Sequence, residues 1–150
     1  MKIKPVLLIA TLLTSSAFLS LSVFAGENKN YLAATAVNVK DLASSTEFYK
    51  QVFGYSIKQS YNTVSMDENI LTSASGKGSS IVLVQYKNKD NSNNGSTRLV
   101  FYVSDAKSTI TSALKMGATI VREAKPLGSG STVMGIVKDL DGYAVEVIQR

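Results

Sequence analysis

The sequence contains no cysteine, no histidine and no tryptophan, and only two of its 150 residues are proline. Without cysteine there is no disulfide, no thiolate-held zinc, no thiol nucleophile and no lipid-modified N-terminal Cys. The missing histidine removes more. The chain alone cannot build a Ser-His-Asp triad, an H-E-x-x-H zinc site or any site that needs an imidazole base or ligand. Remaining chemistry must rest on Asp, Glu, Lys, Arg, Tyr, Ser or a bound cofactor. What is present is ordinary: 45% apolar residues, ten glycines, and 16 basic against 11 acidic side chains. That suits one domain with enough apolar content to bury a core.

Lys2 and Lys4 precede an apolar run from Pro5 to Phe24 that closes on Val23-Phe24-Ala25 and gives way to polar residues from Gly26 to Asn30. A basic start, an apolar middle and small residues at the end predict a secretory signal over 1–25 and a mature domain over 26–150. A retained membrane anchor is the competing reading, since about 20 residues can span a bilayer, but the Ser and Thr within the run weaken it. Losing Lys2 and Lys4 leaves 14 basic and 11 acidic groups, a net charge of +3 without a basic cluster. Nucleic acid is therefore not an expected partner. Export without cysteine suits a bacterial periplasm or the cell exterior, with no stable membrane association once the signal is removed.

The mature chain repeats itself. Leu32 to Val39 alternates as a strand, Asp41 caps a helix with an apolar stripe through Phe48, Tyr49, Val52 and Phe53, and Gly54 ends it. Strands are expected at Tyr55 to Gln59, Asn69 to Ser73 and Ser79 to Tyr86. After a polar linker, Lys87 to Asn94, the order returns: a strand from Thr97 to Val103, an Asp105-capped helix ending at Gly117, and strands near Thr119 to Arg122, Thr132 to Lys138 and Tyr143 to Gln149. Val39 and Val103, Asp41 and Asp105, and Gln85 and Gln149 each lie 64 apart. Two β-α-β-β-β modules, about 32–87 and 96–150, predict an α+β fold in which paired sheets form a curved, partly open barrel. Helices lie outside and a cavity lies on the concave side. Thr35, Val37, Val39, Leu99, Phe101, Val103, Val145 and Val147 are expected to face the helices, so Ala34, Arg98 and Glu146 face the cavity.

This arrangement resembles the vicinal oxygen chelate superfamily, which contains glyoxalase I, the extradiol dioxygenases, the fosfomycin resistance enzymes and the bleomycin-binding resistance proteins. Val39-Lys40-Asp41-Leu42 with Phe48-Tyr49 and Val52-Phe53-Gly54-Tyr55 is similar to the family's first strand, cap and helix end. Met116-Gly117-Ala118 is similar to the second helix end. Asp139-Leu140-Asp141-Gly142-Tyr143-Ala144-Val145-Glu146-Val147 is similar to D-P-D-G-x-x-[IV]-E-[LV] in the last hairpin, with Leu in place of Pro. Taken singly, Asp141-Gly142 is a good tight turn in any hairpin and Phe48-Tyr49 are ordinary core residues.

The resemblance implies metal ligands, commonly His and Glu, on the first and last strand of each half. The corresponding positions here are Ala34, Val82, Arg98 and Glu146, of which only Glu146 matches a ligand type. Methyl and isopropyl groups offer no lone pair and a guanidinium repels a cation. No metal and no other cofactor is expected. Arg98 and Glu146 are expected to lie close, as a structural ion pair or as the polar centre of a small-molecule site. Asn38, Ser80, Tyr86 and Tyr102 share the inward parity and offer hydrogen bonds. Gly76-Lys77-Gly78-Ser79-Ser80 lacks phosphate-loop spacing and reads as a hairpin turn. Gly128-Ser129-Gly130-Ser131 reads as an ordinary loop or a lid. Three functions compete: a metal-free exported protein binding a small molecule, a glyoxalase-like or dioxygenase-like enzyme with a degenerate metal site, and an interaction module with a vestigial cavity. The halves can pair within one chain or across a homodimer.

Overall fold

A computed structural model of the chain describes residues 32–88 and 97–150. The expected signal over 1–25 and most of the linker lie outside these residues. The first half runs β1 (Ala34–Asn38), α1 (Leu42–Phe53), β2 (Tyr55–Asn62), β3 (Met66–Ser73) and β4 (Ser80–Tyr86). The second runs β5 (Arg98–Val103), α2 (Ala106–Lys115), β6 (Thr119–Pro126), β7 (Val133–Lys138) and β8 (Ala144–Gln149). Each half forms its own four-stranded mixed sheet, ordered β1-β4-β3-β2 and β5-β8-β7-β6.

Both helices start for the same reason. Asp41 accepts the Ser44 amide at 2.6 Å and Asp105 accepts the Ser108 amide at 2.9 Å, each satisfying a first-turn donor. A glutamine at the far end of the half supplies a second acceptor: Leu42 N–H donates to Gln85 Oε1 at 2.9 Å, and Ala106 N–H to Gln149 Oε1 at 3.1 Å. Gly54, at φ 66, closes α1 with its amide on the Lys50 carbonyl, a conformation that costs glycine little.

The repeat extends to the ladder. β1 pairs β4 in parallel with Ala34 opposite Ser80 and Ala36 opposite Val82, and β5 pairs β8 with Arg98 opposite Ala144 and Val100 opposite Glu146. Every pair in the first ladder gains 64 in both partners to give the second. Alternation then buries Val37, Val39, Leu83, Val145 and Val147 against the helices with Phe48 and Tyr49. Fully burying one such side chain is worth about 1.5–3 kcal/mol. Phe101 and Val103 pack against the same core. Glu146, between two buried valines, takes the opposite face.

Three strands run longer than their apolar pattern: β2 reaches Asn62, β3 begins at Met66 and β6 reaches Pro126. Edge pairing needs backbone groups only, and polar cross-strand pairs extend it, with Ser60 Oγ donating to Asn69 Oδ1 and Asn62 Nδ2 to Asp67 Oδ1. β6 ends on proline, which an edge strand tolerates. Gly135 on β7 meets a steric demand, because a Cβ there would lie 2.2 Å from Ile110 Cδ1 and 3.0 Å from backbone. Its register counterpart, Asn69, instead donates to Thr46 Oγ1 at 2.9 Å.

Candidate functional site

The four ligand-equivalent positions fall on the helix-free faces of the two sheets. Arg98 Nη1 and Glu146 Oε2 are 3.1 Å apart, with the arginine side chain 60% exposed and the glutamate 14%. Diagonal placement on neighbouring parallel strands brings them together. Ala34 and Val82 hold the same diagonal in the first sheet and present only carbon. One carboxylate already engaged by a guanidinium, with two aliphatic groups, does not make a divalent-cation site. Among the described residues no three His, Cys, Asp or Glu gather in a metal-binding cluster.

The other predicted residues are only partly assembled. Ser80 and Tyr86 sit at opposite ends of β4. Asn38 closes β1, where its backbone amide donates to the Tyr143 hydroxyl at 3.1 Å. Tyr102 is more than half exposed and carries the Arg150 guanidinium 3.9 Å above its ring. Three of the six, Ser80, Arg98 and Tyr102, line a cavity of about 530 Å³ between the halves. Asn38, Tyr86 and Glu146 do not line it. Thr35, expected beneath a helix, lines this cavity too, because it sits at the start of an edge strand where the core has ended. The loop containing Gly128-Ser129-Gly130-Ser131 turns between β6 and β7 and is not among the lining residues.

Sequence reasoning missed what joins the halves. The β7–β8 loop carries Asp139 and Asp141, both buried, into the first half. Asp141 accepts the Lys40 amide at 2.7 Å and the Ser45 hydroxyl at 2.6 Å. Asp139 accepts the Tyr49 hydroxyl at 2.6 Å and the amides of Asp141 and Tyr143 at 3.0 and 2.8 Å. Burial raises the Asp139 carboxyl above its ordinary range, and these hydrogen bonds oppose only part of the rise. Burial, with the Asp139 charge beside it, holds the Tyr49 phenol well above its usual value. Beside this network Phe53 stacks on Phe101 with ring centroids 3.8 Å apart. A D-x-D-G hairpin shows only its turn in sequence, and the burial comes from partners about 100 positions away.

Known proteins share this architecture. A probable lactoylglutathione lyase of Synechocystis is 29% identical over 124 residues, 79% of this chain and 95% of that protein. A lactoylglutathione lyase of Neisseria meningitidis is 30% identical over 127 residues, 79% of this chain and 90% of that one. Among solved structures, glyoxalase I from Zea mays superposes with a TM-score of 0.69 at 22% identity over 79% of this chain, which spans 44% of the maize chain. A glyoxalase family protein from Bacillus cereus gives 0.65 at 17% identity, covering 81% of this chain and 97% of that one. The family model of the Glyoxalase/Bleomycin resistance protein/Dioxygenase superfamily matches residues 31–147. With the duplicated β-α-β-β-β halves and their shared register, this match places the chain in that superfamily, to which it belongs.

Proposed function

We propose that the chain is an exported, metal-free member of the superfamily that binds a small molecule against its helix-free sheet faces. The Arg98–Glu146 ion pair carries this reading, because it occupies two ligand-equivalent positions while Ala34 and Val82 occupy the other two. Arg98 engages a carboxylate, phosphate or carbonyl, and Glu146 an amine or hydroxyl. Asn38, Ser80, Tyr86 and Tyr102 supply further hydrogen bonds around a lining of Ala34, Ala36, Val82 and Val100. These faces are open, Val100 being 49% and Tyr102 59% exposed, and a homodimer that opposes them would enclose the ligand. The leader-like 1–25 segment supports a periplasmic or secreted location.

Protein purified after exposure to divalent metals is expected to hold no stoichiometric ion by elemental analysis. Bound metal that raises the melting temperature and is lost in Glu146→Gln overturns the metal-free reading. Arg98→Ala is expected to weaken an anionic ligand by about 1.5–3 kcal/mol, but it strands Glu146. The double variant Arg98→Met, Glu146→Gln removes both charges together. With any co-purified ligand identified by native mass spectrometry, a stable double variant that binds it as wild type does sinks the recognition role.

A second reading has one observation in its favour: relatives at 28–30% identity are named lactoylglutathione lyases. Metal-dependent formation of lactoylglutathione by the purified protein would establish it and displace the first.

A further inference from the structure

The β3–β4 and β7–β8 loops are counterparts. Counted back from β4 and β8, Lys77, Gly78 and Ser79 correspond to Asp141, Gly142 and Tyr143, each 64 earlier. Gly78 and Gly142 share a left-handed backbone, at φ 84 and 88, while the β3–β4 loop is one residue longer and has a second left-handed glycine, Gly76, at φ 68. At one junction the Tyr143 ring is buried and its hydroxyl meets the Asn38 amide, while Asp141 binds Lys40 and Ser45. At the other, serine replaces the tyrosine and lysine replaces the aspartate. The cavity of about 530 Å³ opens there, with Lys77 and Ser79 on one wall and β5, from Arg98 to Tyr102, on the other. Tyr102 is the register counterpart of Asn38.

The walls define the occupant. Phe53 and Phe101, stacked on each other, give an apolar surface for a ring. Lys77 and Arg98 are the charged residues of the lining, and no acid lines it. Arg98 is engaged by Glu146, whereas the Lys77 ammonium has no ion-pair partner among the described residues. The volume lies in the range of small-molecule sites.

We infer that this junction is a binding site for a small aromatic carboxylate, whose ring takes the place left by the missing counterpart of Tyr143 and whose carboxylate faces Lys77. The site lies at the open edge of β5 and shares Ser80, Arg98, Val100 and Tyr102 with the helix-free faces invoked above, whereas Lys77 and Ser79 belong to neither the Arg98–Glu146 pair nor those faces.

The probe is 4-hydroxyphenylacetate, with neutral 4-hydroxyphenylacetamide as control, titrated calorimetrically into the whole protein. The acid is expected to bind about tenfold or more tightly than the amide, and Lys77→Met, an exposed change, is expected to remove that difference. Ser79→Tyr rebuilds the plug and is expected to abolish binding, while Val82→Phe, which blocks a helix-free face, leaves it unchanged. No binding to wild type, equal binding of acid and amide, or wild-type binding by Lys77→Met overturns the inference. Loss in Val82→Phe with retention in Ser79→Tyr overturns it as well and places the probe on the helix-free face. Because Arg98 lines this cavity too, the Lys77→Met and Ser79→Tyr results decide this inference, and the Arg98→Met, Glu146→Gln variant is kept for the earlier proposal.

Discussion

At one junction between the halves, the β7–β8 loop inserts a buried tyrosine and two buried carboxylates; at the other, the β3–β4 loop presents serine, lysine and glycine and lines a cavity. The ladder of first and last strand keeps the same register on both sides. A duplicated fold therefore sets where its two junctions lie, and a few loop side chains decide which becomes core and which becomes cavity. The filled side welds the halves, leaving the other free to hold something else.

The largest test makes the filled junction resemble the open one. Tyr143→Ser removes a buried ring and is expected to cost about 3–5 kcal/mol in urea unfolding, the range for deleting a large aromatic from a core. A loss under about 1 kcal/mol would show that the plug does not hold the halves. Next comes the packing asymmetry of β7 and β3. Gly135→Val drives carbon into Ile110 and backbone and should cost about 1–3 kcal/mol. Asn69→Val forfeits the bond to Thr46 and should cost about 0.5–1.5 kcal/mol. Equal losses would erase that contrast. Converting the open junction toward the filled one, Ser79→Tyr should raise stability by about 0.5–2 kcal/mol, as cavity filling commonly does.

The smallest effect is a change of slope. The Asp139 carboxyl is raised from 3.8, so between that value and its own the folded protein binds more protons than the unfolded chain. Its contribution to stability therefore falls as pH rises through that window. Asp139→Asn should remove this fall in urea midpoints taken between about pH 3.5 and 7. Asp41, held low by its bond from the Ser44 amide, contributes the opposite slope, losing stability as pH falls below 3.8, and should do so in both proteins. Superimposable curves would mean that Asp139 titrates alike folded and unfolded.

Much of the fold was legible because it rests on local rules applied twice. Asp41 and Asp105 cap, Gly54 and Gly117 terminate, and alternation about Val37, Val145 and Val147 puts Glu146 on the face away from the helices. The meeting of Arg98 with Glu146 follows from that parity and from the parallel pairing of first and last strands. The rest needed positions that no local pattern holds. Asp139 and Asp141 look like turn residues until Tyr49, Lys40 and Ser45 arrive from 90 or more residues away. Gly76 to Ser80 does form a hairpin turn, but its place in a cavity wall depends on where β5 runs. β2 and β6 outran their apolar pattern because edge ladders are held by backbone, and β3 lengthens with the β2 it pairs.

In each half the first and last strands pair with each other, Ala34 with Ser80 and Arg98 with Ala144, so each ladder closes a loop of 46 residues. Closing a chain of that length costs about 3 kcal/mol of entropy before any contact between those strands forms. Neither half can be assembled by zipping outward from one hairpin, because β1 must wait for β4 and β5 for β8. A truncation before β8 thus removes only seven residues, Ala144 to Arg150, yet also takes the strand beside β5 and the Gln149 acceptor that starts α2. In each half folded this way, the last strand locks the first.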